Sequence, residues 1–120
     1  MATWVTHLII ADRMLAQMPQ LHHLGFCVGN IAPDCNVENE DWTAFTPSRE
    51  TTHWMSVKND KSTADSEGFY RAYIESRADA IRSPEEYSFL LGYLAHSYLD
   101  RATALALQAL GRAIISRNLR

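Results

Sequence analysis

Ser88-Phe89-Leu90-Leu91-Gly92-Tyr93-Leu94-Ala95-His96-Ser97-Tyr98-Leu99-Asp100 is the stretch whose reading decides the fold. Phe89-Leu90-Leu91 gives it an apolar start, and the run reads as one buried helix carrying two polar residues, His96 and Asp100. Residues four apart share a helix face. Imidazole and carboxylate are both metal-ligand types, so this face is either a costly buried polar pair or part of a site.

Upstream, Ser83-Pro84-Glu85-Glu86 is a strong helix start: serine at the cap, proline in the first turn, glutamate at the third position. At the other end of the chain, Thr3 or Thr6 can cap a first helix from Val5 to Gln17, stopped by Pro19. Its apolar positions Leu8, Ile9, Met14, Leu15 and Met18 recur at helical period. Gln20 to Gly29 is a shorter helical or irregular piece. There Leu24, Phe26 and Val28 are expected in the core and His22-His23 at the surface. Gly29 to Asn36 is a turn in which Pro33 restrains Ala32 and sets Asp34 on a fixed bend. Val37 to Val57 lacks periodicity and is expected to be a long, irregular, functional connection. After the polar run Lys58 to Glu67, expected to be the most mobile, a helix is predicted from Glu67 to Ile81. Another is predicted from Ala102 to Ser116. With no internal repeat and no strand alternation, the expectation is an all-α, single-domain multi-helix bundle spanning residues 1–120.

Composition narrows the function classes. A hydrophobic fraction of 47% with 21% charged residues is that of a globular chain, not a disordered one. A net charge of −3 argues against nucleic acid as an electrostatic partner. No segment approaches the length of a membrane span and no signal peptide is visible, so the expected compartment is the cytoplasm. Cys27 and Cys35 suit reduced thiols there. The basic-ended, Ala/Leu-rich tail helix is a candidate surface for homo-oligomerisation, as is burial against another partner.

Taken singly, the remaining candidates carry little. His7 in a first helical turn reads as a partly exposed histidine, Asp34 as a turn aspartate, and His53 beside Trp54 as a loop histidine. Trp42, Phe45, Trp54 and Tyr98 are as readily packing residues as pocket walls.

Their contexts and order say more. Trp4…Thr6-His7-Leu8-Ile9-Ile10-Ala11, Gly29-Asn30-Ile31-Ala32-Pro33-Asp34, Thr52-His53-Trp54 and Gly92-Tyr93-Leu94-Ala95-His96-x-x-x-Asp100 occur in this order along the chain. Through them the sequence resembles the zinc-dependent phospholipase C family over residues 4–100, with 101–120 a divergent helical tail. The resemblance implies an all-α bundle that hydrolyses phosphodiester bonds, in family members the phospholipid headgroup bond; related zinc nucleases act on single strands. It implies one zinc held by Asp34, His53, His96 and Asp100, with Asp100 bridging to a second that also takes His7. Asp34 would orient the attacking water or accept its proton.

Two departures shape the expectation. Secreted members begin at a tryptophan whose amino group binds zinc, whereas Met1-Ala2-Thr3 precede Trp4 here. The family's third zinc draws on His and Glu beyond the His-x-x-x-Asp motif, and this chain has no histidine after His96 and no acidic residue after Asp100. The expectation is a bundle incomplete at its C-terminus, or a reduced member with one or two zinc ions. Three readings follow: a zinc-dependent phosphodiester hydrolase, a metal-binding relative without turnover, and a plain helical bundle without metal.

Overall fold

The computed structural model describes residues 3–55, 64–81 and 83–118, with side chains continuous to Thr103 in the last segment. The polar run from Lys58 lies mainly outside the described residues, as do the side chains of the tail's basic end. The first helix, α1, spans Trp4–Gln17, and the Thr3 hydroxyl caps it by accepting from the Thr6 N–H at 3.3 Å. Its buried stripe is His7, Ala11 and Leu15, at four-residue spacing. Leu8 and Ile9, expected on the apolar face, are exposed.

A second helix, α2, spans His23–Ile31. Its cap is His22, whose Nδ1 accepts from the Gly25 N–H at 3.1 Å while its own N–H donates to buried Ser88 Oγ at 2.8 Å. His22 is therefore a structural cap, while its side chain stays 39% exposed and His23 is exposed, as expected of a surface pair. Phe26, Gly29 and Asn30 are buried, whereas Leu24 and Val28 are exposed. The buried positions follow the three-and-four spacing of one helix face; the expected Leu24-Phe26-Val28 alternation belongs to a strand.

A single 3-10 turn, Ala32–Asp34, with Pro33 in its first positions, delivers Asp34. The connection that follows has more order than expected. Strands β1 (Val37–Glu38) and β2 (Phe45–Thr46) form a short antiparallel ladder, and α3 (Arg49–Thr52) is capped by Ser48. Next, α4 (Ser66–Phe69), capped by Asp65, widens into a π-helical turn over Tyr70–Glu75. Regular helix ends there, short of the expected Ile81.

The last helix, α5, runs unbroken over Pro84–Asn118, 35 residues. The two helices expected on either side of Arg101 are one, because Arg101-Ala102-Thr103 contains no residue that interrupts the backbone ladder. At 1.5 Å per residue it is about 52 Å long, nearly the molecule's longest dimension of 57 Å.

α5 is the axis on which the rest packs. Ala11, Leu15 and Phe26 form one buried cluster with Leu91 and Ala95; Phe69, Ile74 and Leu90 form another, which also takes Leu91. The crossing of α2 and α5 is set by two glycines. A Cβ on Gly29 would fall on the Phe89 carbonyl oxygen, and one on Gly92 on the Phe26 carbonyl oxygen. Backbone therefore touches backbone, and Asn30 is carried into reach of His96. The protein is all-α apart from its two-residue strands, and among the described residues no helix is long and apolar enough to cross a membrane.

Candidate metal centre

Five residues from four elements meet beside this crossing: His7 from α1, Asp34 from the 3-10 turn, His53 from the end of α3, and His96 and Asp100 from α5. His7, His53 and His96 are buried. The position-based reading of His7 as partly exposed is corrected by the fold, because the face of α1 that carries Ala11 and Leu15 also turns His7 onto α5.

Backbone carbonyls decide which imidazole nitrogens face the cluster. His96 Nδ1 lies 2.6 Å from the Asn30 carbonyl oxygen, which can only accept, so the proton sits on Nδ1. His53 Nδ1 is likewise 3.0 Å from the Arg49 carbonyl oxygen. Both Nε2 atoms then point inward, 3.3 Å apart. Two neutral rings would oppose lone pair to lone pair, and two imidazolium rings would oppose hydrogen to hydrogen. A cation between them, or a single proton shared as Nε2–H···Nε2, removes either conflict.

The carboxylates complete the set. Asp34 Oδ1 lies 3.0 Å from His53 Nε2 and 3.8 Å from His96 Nε2. Asp100 Oδ2 lies 3.1 Å from His96 Nε2 and 3.6 Å from His53 Nε2. Zinc held tetrahedrally, with bonds of about 2.0–2.1 Å, requires donor atoms about 3.3 Å apart. The separations of each carboxylate oxygen from the two Nε2 atoms, and of the two Nε2 atoms from one another, scatter around that value, from 3.0 to 3.8 Å. The donor set fits zinc in both chemistry and size.

Asp100 divides its oxygens. While Oδ2 faces His53 and His96, Oδ1 lies 3.2 Å from His7 Nε2, on the other side of the carboxylate. The His7 and His96 rings stack at 3.8 Å, nearly parallel, so His7 belongs to the same centre while facing a second point. Two donor groups able to hold a metal ion result: Asp34, His53, His96 and His7, His96, Asp100. His96 has one inward nitrogen, so it cannot serve two ions at once.

Electrostatics keep both acids charged. Burial pushes Asp34 up, but the hydrogen bond and positive charge that His53, and the charge that His96, supply when protonated outweigh it and hold the carboxyl below its ordinary range in the metal-free protein. Asp100 is desolvated too, yet hydrogen bonds from His7 and His96 when those rings are protonated hold it well below that range in the metal-free protein. Anionic carboxylates beside inward nitrogens are the state a metal ion needs.

Several residues that shape the centre had no role assigned from sequence: Asn30 and Arg49 through their carbonyls, Gly29 and Gly92 through the close crossing. Glycine on an otherwise apolar helix face was the available signal. Of the aromatic candidates, Trp54 packs edge-on against Phe69 and Tyr73. Trp42 is 79% exposed at the end of the β1–β2 hairpin, and Tyr98 borders a groove with Glu67, Tyr70, Arg71 and Leu94, a different face of α5 from His96. Cys27 and Cys35 are free thiols.

The fold and site together define an all-α scaffold built around one long helix, carrying a buried His/Asp cluster of the kind able to hold a metal ion. The chain belongs to the zinc-dependent phospholipase C family, whose model matches residues 6–103. No curated protein and no solved structure matches it significantly.

Proposed function

We propose that this protein is a zinc-dependent phosphodiester hydrolase of the phospholipase C type. The supporting observation is the convergence of Asp34 Oδ1 and Asp100 Oδ2 on the facing His53 and His96 Nε2 atoms, at separations of 3.0 to 3.8 Å. In this reading those four residues hold the main ion. His7 Nε2 and Asp100 Oδ1 would hold a second, the two oxygens of Asp100 then facing different ions. What zinc supplies in such a set is Lewis acidity toward a phosphate oxygen and acidification of a water.

The chain's own residues do the rest. The Asn30 and Arg49 carbonyls lock both inward tautomers, so no rotation of His53 or His96 is needed when metal arrives. Asp34 sits at the end of a Pro-restrained turn, remains anionic, and accepts the proton of the attacking water. The substrate is a phosphodiester, with a phospholipid headgroup as the family's choice.

Metal analysis of the purified protein, followed by assay on bis-nitrophenyl phosphate and phosphocholine lipids with and without chelator, tests the reading. The expected result is bound zinc and chelator-sensitive hydrolysis, both lost in His96→Ala. Protein that takes up no zinc and gains no thermal stability from it overturns the proposal. Zinc-loaded protein inert on both substrates leaves a metal-binding family member without turnover.

A further inference from the structure

His53 has a positioning problem that its own turn does not solve. Its Nδ1 is oriented by the Arg49 carbonyl and by Thr52 Oγ1, each at 3.0 Å, but both belong to the same short helix as His53. They fix the ring relative to α3. They do not fix α3 relative to α5, where His96 waits.

Tyr93 spans that gap. It lies on α5, three residues before His96, and its hydroxyl donates to the Thr52 carbonyl oxygen. Its ring is held in turn, stacked on Phe69 with centroids 4.9 Å apart and flanked by Phe89 at 6.1 Å. Phe69 also meets Trp54 edge-on at 6.5 Å. The residues on either side of His53 are thus tied to one aromatic cluster, Thr52 by a hydrogen bond and Trp54 by its ring. Trp54 adopts a left-handed backbone, φ 53°, a conformation uncommon for a bulky residue, and this turn places its indole on the cluster.

We propose that Tyr93 is a positioning residue for the metal centre: its hydroxyl, bonded to the Thr52 carbonyl, sets the separation of α3 from α5 and so presents His53 Nε2 to His96 Nε2 before metal binds. The proposal rests on the zinc-centre reading above. Burial, then the nearby Tyr73 and Asp34, push the Tyr93 hydroxyl up to about 12, so it remains a donor through the neutral range. Phenylalanine at this position keeps the ring and deletes only the bond.

Tyr93→Phe is therefore the variant to make, compared with wild type in the full chain. Zinc affinity, read by competition with a chromogenic chelator, should fall by about 10–100-fold, the usual consequence of removing a group that orients a ligand. The cobalt-substituted protein should show an altered visible absorption band. In the metal-free protein, amide exchange over residues 49–54 should speed up while that of α1 stays unchanged. Unaltered exchange over 49–54 overturns the proposal, whether or not the protein binds zinc. Unaltered zinc affinity overturns it equally, as does faster exchange in α1, which would mean a general loss of fold. Absence of zinc from the wild-type protein would instead overturn the functional reading, and the metal-free exchange would still decide whether Tyr93 holds the turn.

Discussion

The metal centre draws on two regions built by different physics. His7, His96 and Asp100 come from α1 and α5, which share the Ala11, Leu15 and Phe26 core with α2. Asp34 and His53 bracket the segment from the 3-10 turn to α3, whose side chains are mostly exposed and which polar contacts hold together. Asn36, for example, donates to the Pro47 carbonyl at 3.1 Å and to Thr52 Oγ1 at 3.4 Å. The helical half is set by apolar packing, and should act as a preformed wall whether or not metal is bound. The connecting half is a hinged jaw whose net hydrogen-bond energy is small, about 1 kcal/mol per bond. Metal binding should therefore order the two halves unequally.

Damage to the wall should be large and beyond rescue by metal. Gly92→Ala drives a methyl into the Phe26 carbonyl and forces α2 off α5. The expected cost is about 3 kcal/mol in thermal or denaturant unfolding. Because the same shift carries the Asn30 carbonyl away from His96, added zinc should fail to restore the wild-type midpoint. A full recovery with zinc would erase the distinction between the two halves.

Damage to the jaw should be smaller and reversible. Ser48→Ala removes the oxygen that accepts the Thr51 N–H at the start of α3. Local opening of residues 49–54, read by amide exchange, should become easier by about 1 kcal/mol. Saturating zinc should largely reverse it, since a ligand bound only to the closed form stabilises that form. Exchange that spreads to α1 or α5 would show the jaw and the wall to be one cooperative unit.

The smallest effect on stability is expected from the alkaline titration of Tyr93, which joins the halves. Tyr93 holds its proton to about 12 in the folded protein, against 10.0 for the ordinary hydroxyl. The folded state then binds more protons than the unfolded one between those values. Its contribution is complete below pH 10, and stability declines as pH rises toward about 12. Tyr93 is only partly shielded from solvent, so the decline is modest. Titration of the unfolding midpoint across this range should show a flatter alkaline limb in Tyr93→Phe than in wild type.

Helices were legible wherever a local signal sufficed. The Thr3 and Ser83 caps, the stop before Pro19 and the single face carrying His96 and Asp100 all depend on residues within a few positions of one another. Legibility failed where the outcome depended on a distant surface. Leu24 and Val28 are as apolar as Phe26, but only Phe26 faces α5. His7 resembles any first-turn histidine until α5 covers it. The π-helical widening after Phe69, and the uninterrupted passage of α5 through Arg101-Ala102-Thr103, also lay beyond the reach of sequence spacing.

The site divides along the same line. Ligand types, their order and the family were determined by the sequence, because the motifs around Asp34, His53 and His96 are local strings. Only the tertiary structure decided that four donor atoms stand 3.0 to 3.8 Å from their neighbours. That spacing depends on a glycine-to-glycine helix crossing, two backbone carbonyls that choose the histidine tautomers, and a tyrosine bonded across 41 residues of chain. Short-range spacing sets which residues share a helix face; atomic separation between elements is set by packing, where each contact depends on the shape of its partner.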